Sequence, residues 1–220
     1  MDFENAFTFL KKLSRNNNRE WFEKNKPRYI EIKEQFELFV ETLLHEMIKF
    51  DESLAGLNPK KLTFRIYRDV RFSKDKTPYK TTVSAGFSSA GKGIAVPGYY
   101  LQIEPGNKSF LAAGLWMPIP ENLTKIRQEI DYNGDLLAKI SNEKKYKKNF
   151  TGFWDGDKLK TMPKGYPKDH PHIEWLKLKS FIIEHHFKDS EVADKKFLKN
   201  LLDVAKSAKP LNDFLKQALD

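Results

Sequence analysis

The sequence predicts an α+β protein: an antiparallel meander sheet of four or five strands flanked by N-terminal and C-terminal helices. Two observations carry that expectation. The apolar period is helical over residues 3–55, becomes alternating from Leu62 to Trp116, and returns to helical spacing after Pro120. Four alternating segments also follow one another with no intervening helix, which argues against a parallel sheet built from strand–helix units. No repeat, low-complexity tract or interdomain linker interrupts the chain, so residues 1–220 read as a single domain.

Phe3, Phe7, Phe9, Leu10 and Leu13 form the apolar stripe of a first helix, which Asn16-Asn17-Asn18 breaks. Arg19–Lys26 reads as a short helix with Trp21 and Phe22 inward. Pro27 then fits the first turn of a long helix, where its missing N–H costs nothing. In that helix Phe36, Phe39, Val40, Leu43, Leu44, Met47 and Ile48 lie mostly opposite a row of glutamates, and Gly56 with Asn58-Pro59 ends it. Leu62, Phe64 and Ile66 alternate with Thr63 and Arg65 as a first strand. Thr82–Ser88, Tyr99–Glu104 and Ser109–Trp116 supply three more, the last two joined at Pro105-Gly106-Asn107. Such a meander buries one face and leaves the other to solvent or a ligand. Pro118 and Pro120 stop the sheet; Glu121–Asp131 and Leu136–Ile140 read as helical on either side of Gly134, and residues 141–170 as loop. Ile173–Lys179 makes a helical turn or two, with Asp169 as its cap near Pro171, and Phe181–Phe187 is the candidate fifth strand. Asp189 or Ser190 caps a final helix lined by Val192, Phe197, Leu201, Leu202 and Ala205, which Pro210 kinks or restarts.

The composition excludes several classes. With 40% hydrophobic residues, 17 Phe and 4 Trp the chain is neither disordered nor fibrous. The absence of cysteine excludes disulfides, thiolate metal sites and cysteine nucleophiles, and fits a reducing compartment. No apolar run approaches the ~20 residues of a membrane span, and Met1-Asp2-Phe3-Glu4-Asn5 lacks the pattern of a signal peptide. The expectation is a cytoplasmic protein with no membrane partner.

The net charge of +9 is concentrated in two segments. Residues 139–168 hold 9 basic and 3 acidic side chains; Lys144, Lys145, Lys147 and Lys148 dominate there and read as a solvated helix end or loop. Residues 60–80 hold 8 basic and 2 acidic side chains, with Arg65, Arg68 and Arg71 at three-residue spacing. Guanidinium forks suit phosphate or carboxylate and are costly to bury unpaired. Asp69 and Asp75 cannot neutralise Arg65, Arg68, Arg71, Lys74, Lys76 and Lys80, while Phe72, Pro78 and Tyr79 supply rigid apolar anchors. These residues point to an anionic, phosphorylated ligand, a small molecule or a nucleic acid, bound by Arg65, Arg68, Arg71, Lys74, Lys76, Tyr79 and Lys80, with Trp116 as a stacking surface. Along a strand Arg65 and Arg68 point to opposite faces, so they converge only if the chain turns.

Two other readings stand beside it. In one, the chain is an enzyme acting on a small anionic substrate: Arg68 and Arg71 clamp the anion, and Asp69, Asp75 or His170 moves a proton, His170 being oriented by Asp169. In the other it is a structural or protein-interaction domain whose Arg and Asp side chains are paired internally. His170 and His172 do not match the spacing of zinc ligands, and His185 and His186 on a strand point to opposite faces so that only one could join a site; no metal site is expected. Ser73 and Ser84 lie in no nucleophile elbow, Gly91-Lys92-Gly93 opens no helix as a phosphate loop does, and no cofactor is named by any motif.

The string Arg68-Asp-Val-Arg-Phe-Ser-Lys-Asp-Lys-Thr-Pro-Tyr-Lys80 resembles the signature of domain-of-unknown-function family 2461, found in bacteria, fungi and plants. Gly98–Gly106, Ala113–Pro118, Ile126-Arg127 and Pro163–Pro171 are similar to its later blocks, so the resemblance spans nearly the whole chain. One departure is Leu115, where the family often has a second glycine. The resemblance implies one full-length domain and carries no activity.

Overall fold

The computed structural model describes residues 1–93 and 96–220. Its sheet contains β1 (Val83–Ser88), β2 (Gly98–Ile103), β3 (Ser109–Leu115) and β4 (Phe181–Phe187), antiparallel throughout and in that spatial order. Helices α1 (Phe3–Arg15) and α2 (Arg19–Ile48) precede the sheet. α3 (Pro120–Asn142), α4 (Lys144–Asn149) and α5 (Ile173–Leu176) lie between β3 and β4, and α6 (Asp189–Ala193) and α7 (Phe197–Gln217) follow. No helix among the described residues is long and apolar enough to cross a membrane.

Alternation along each strand sends one set of side chains to each face. Ala85, Phe87, Tyr99, Leu101, Leu111, Ala113, Leu115, Phe181 and Ile183 enter the main core with Leu201, Ala205, Ala208 and Leu211 of α7. A second, smaller core gathers Phe9, Leu10, Leu13, Phe22, Ile32, Ile66 and Tyr79 between α1, α2 and the segment that follows α2.

The expected first strand, Leu62–Tyr67, is not a strand. Phe64 N–H donates to Ser84 (2.9 Å) and Gly86 N–H to the Leu62 carbonyl (3.1 Å), which makes a single bridge to the edge of β1. The chain then leaves the sheet: Lys80 N–H donates to Ile66 (2.7 Å) and Arg68 N–H to Pro78 (2.9 Å). The cause is burial, because Ile66 belongs to the second core and is drawn away from the sheet axis. The fourth strand is instead Phe181–Phe187.

Pro27 does not begin a helix. α2 runs continuously from its Asn18 cap, which accepts from Trp21 N–H at 2.9 Å, and buried Phe22, Ile32 and Phe36 hold it on both sides of the proline. Pro210 likewise lies inside a continuous α7. The break expected at Gly134 is a kink: Asn133 is non-helical within α3, and a Cβ on Gly134 would stand 2.1 Å from the His172 ring. Asp169 does not cap α5, whose N-terminal flank is His172. Nor does Asp189 cap a helix; its carboxylate accepts from Gly106 N–H (2.9 Å) and Asn107 N–H (2.8 Å) and pins the β2–β3 turn.

Candidate functional site

The three asparagines that separate α1 from α2 each have a task. Asn16 ends α1, Asn18 caps α2, and Asn17 clamps the arginine loop: its amide donates to the Tyr79 carbonyl (2.9 Å) and accepts from Tyr79 N–H (3.1 Å). The Tyr79 ring is buried and stacks on Phe22 with centroids 4.0 Å apart, so it anchors the loop base in the core. The loop 69–77 therefore projects from a fixed stem.

Two of the three arginines are matched from inside. Arg68 pairs with Asp75 and with the Thr77 hydroxyl, and reaches the Thr77 carbonyl at 3.2 Å. Arg71 forks onto Asp69 at 2.6 and 3.0 Å. The Asp75 carboxyl, accepting from Thr77 N–H, Arg68 and the Thr77 hydroxyl, is held down at about 2. Asp69 also lies below the ordinary carboxylate range, chiefly through its bonds to Arg71. Both aspartates are thus fixed as acceptors, a poor state for a general base. Lys76 donates to the Val70 carbonyl at 3.0 Å, and Lys74 and Phe72 are exposed.

Arg65, Lys80 and Lys92 are different. Among the described residues none of the three makes an ion pair. The ammonium groups of Lys80 and Lys92 each lie 5.4 Å from the centre of the Phe64 ring. The Lys80 ammonium is pushed below its ordinary range by burial and then by the neighbouring Arg65 and Lys92 charges. Arg65, Lys92 and Lys60 line a cleft of about 260 Å³ between α2 and the Thr63–Ile66 segment; the acid on its wall, Glu37, is engaged by Lys33 at 2.7 Å.

Phe64 and Lys92 also form one wall of a second cavity, of about 320 Å³, on the sheet face opposite α7. Strand register builds it. One cross-strand row on this face is Gly86–Tyr100–Ala112–Glu184 and the next is Ser88–Gly98–Gly114–Ile182. Small residues make the floor, while Phe64, Tyr100, Phe110, Trp116 and Ile182 stand around it. Gly114 has φ +119°, and a Cβ there would meet the Phe181 carbonyl oxygen at 1.9 Å, so only glycine allows β3 and β4 to close at this rung. Tyr100 packs against both Phe64 and Phe110 with centroids 5.8 Å apart, and Trp116, half-buried, leans on Trp154 at 4.8 Å. Glu184 lies at the β4 edge, 3.4 Å from the exposed His186 ring.

The remaining sequence candidates lie elsewhere. His170 is held against α3 by Asp131 (2.9 Å) and accepts from His172 N–H through Nδ1, whereas Arg68 and Arg71 are engaged by Asp75 and Asp69. The structure does not bring His170 or Asp169 to Arg68 and Arg71. Sequence reasoning missed Lys92, Phe64, Phe110 and Glu184 as site residues. The signal was present in the outward strand positions, where Gly86, Gly98, Ala112 and Gly114 are small and Tyr100 and Phe110 large, but the rows they form depend on register.

An α+β sheet protein with an aromatic cavity on its open face, bordered at the β1 edge by Lys92, whose ammonium donates to the Thr63 carbonyl at 2.9 Å, is the class this fold and site define. The chain belongs to the family described as "Conserved hypothetical protein (DUF2461)", whose model matches residues 5–214. Comparison with curated proteins and with solved structures gives no match.

Proposed function

We propose that this protein binds an anionic, phosphorylated ligand, and that Arg65, Lys80 and Lys92 hold the anion. One observation carries the reading: the loop's own aspartates are engaged by Arg68 and Arg71, while Lys80 stands beside Arg65 and Lys92 and none of the three makes an ion pair among the described residues. Gathering like charges costs free energy, and a bound phosphate turns that cost into attraction. Arg68 and Arg71 then serve as structural clamps of the loop rather than as the anion's ligands. The fixed stem at Asn17 and Tyr79 supports the reading, because a preorganised cluster loses less entropy on binding.

The test is calorimetric titration with inorganic pyrophosphate at low and moderate salt. Wild-type protein binds, and the double variant Arg65→Ala, Lys92→Ala loses about 10- to 100-fold in affinity, as expected for two charge-assisted contacts in a partly solvated site. Arg71→Ala binds like wild type. Failure of the wild type to bind pyrophosphate at millimolar concentration, or an equal loss in Arg71→Ala, overturns the assignment. If the anion belongs to a nucleic acid, affinity for an oligonucleotide falls steeply with salt.

A further inference from the structure

We infer that the sheet-face cavity takes the base of a guanine nucleotide, stacked among Phe64, Tyr100, Phe110 and Trp116, with its N–H donors on Glu184 and its phosphates toward Lys92. The inference rests on the anion-binding reading and names the rest of the ligand.

Three features select this chemistry. The first is shape. The floor is made of Gly86, Gly98, Ala112 and Gly114, and aromatic rings stand around it, which suits a flat π-system; stacking of a base on such rings is a sequence-tolerant source of affinity. The second is charge placement. Lys92 lies over β1, where its backbone would be 3.1 Å from a Cβ on Gly86, and Glu184 lies on β4 in the same cross-strand row as Gly86. Three strand spacings of about 4.8 Å separate those edges by about 14 Å. An occupant therefore meets a cation at one end and a carboxylate at the other.

The third feature is the nature of Glu184. An ionised carboxylate accepts hydrogen bonds and donates none, and its two oxygens match two adjacent N–H groups. Glu184 is half-buried, and its one ionic neighbour among the described residues is the exposed His186, on the next row. A fatty acyl chain offers this carboxylate nothing and would strand it against apolar surface. Adenine presents a ring acceptor beside its amino group and meets the carboxylate with a lone pair. Guanine presents an imino N–H and an amino N–H side by side.

The experiment compares GDP, ADP and inorganic pyrophosphate by calorimetry on the wild type, Glu184→Gln and Ala112→Phe. The wild type binds GDP about tenfold or more tightly than pyrophosphate, as one stacked base warrants, and more tightly than ADP. Glu184→Gln removes the preference for GDP over ADP and leaves pyrophosphate affinity unchanged. Ala112→Phe, which fills the floor, removes the advantage of GDP over pyrophosphate; retained pyrophosphate binding shows that this variant is folded. Pyrophosphate binding with no gain from the base overturns this inference and leaves the anion site standing. A GDP preference that survives in Glu184→Gln overturns the role of that carboxylate and with it the guanine assignment. Absence of binding by both GDP and pyrophosphate overturns this inference and the anion-binding reading together.

Discussion

Asp51 sits where the chain leaves α2, and it is 2% exposed. Its carboxylate accepts from the Tyr99 hydroxyl of β2 at 3.1 Å, from the Ser53 hydroxyl at 2.6 Å and from the Lys216 ammonium of α7 at 3.2 Å. One buried charge thus ties the end of α2, the middle of the sheet and the last turn of α7. Burial pushes its pKa up, but the Ser53 bond, the Lys216 charge and the Tyr99 bond together outweigh burial and hold it below the ordinary range. Asp51→Ala leaves the hydroxyl of Tyr99, a residue 3% exposed, without this acceptor, at about 1–3 kcal/mol. The Lys216 side chain is 24% exposed and turns partly to water, so its share is smaller, about 1 kcal/mol. The expected total is about 3 kcal/mol, the low end for breaking a buried pair. A double-mutant cycle isolates the central contact. Tyr99→Phe costs about 1.5 kcal/mol in the wild type and nearly nothing in Asp51→Ala, a coupling of about 1.5 kcal/mol between residues 48 positions apart in the chain. Urea denaturation with a common slope measures all four corners. If Tyr99→Phe costs the same in both backgrounds, or if Asp51→Ala costs less than about 1 kcal/mol, the carboxylate is not the tie described.

Gly114→Ala must place a Cβ at φ +119° against the Phe181 carbonyl, so it breaks the β3–β4 rung and costs about 3 kcal/mol or more. For a chain of this size that lowers Tm by about 6–12 °C in a thermal melt. Asn17→Ala removes both hydrogen bonds to the Tyr79 backbone; it costs about 1–2 kcal/mol and speeds amide exchange at Tyr79. The Asp75 carboxyl titrates at about 2 in the folded protein against an ordinary 3.8. A depressed carboxylate stabilises the loop above the ordinary value and loses that contribution as pH falls through the folded one, so the loop loosens between about pH 4 and pH 2. NMR titration of Asp75 follows this, and Arg68→Ala raises the midpoint only partway, since Thr77 N–H still donates.

Much of the architecture was written locally. The period of Phe3, Phe7, Leu10 and Leu13, the asparagine break at 16–18, the alternation in β1 to β3 and the turn at Pro105-Gly106-Asn107 all depend on neighbours a few residues apart, and each became the element expected. The excess of cations in residues 60–80 was equally legible, because charge can be counted before anything folds.

Which of those cations lack a partner was not legible. Arg68 and Arg71 look equivalent to Arg65 along the chain, yet the turn that starts at Ile66 delivers the first two to Asp75 and Asp69 and leaves Arg65 beside Lys80 and Lys92. Proline rules misjudged α2 and α7 because packing on both sides of Pro27 and Pro210 outweighs one missing hydrogen bond. The cavity was harder still. Gly86, Tyr100, Ala112 and Glu184 become one row through three strand pairings, and a shift of one residue in any of them turns that strand's contribution to the other face. Secondary structure and charge are short-range properties of a chain; a binding surface assembled across four strands exists only once long-range pairing has chosen the register.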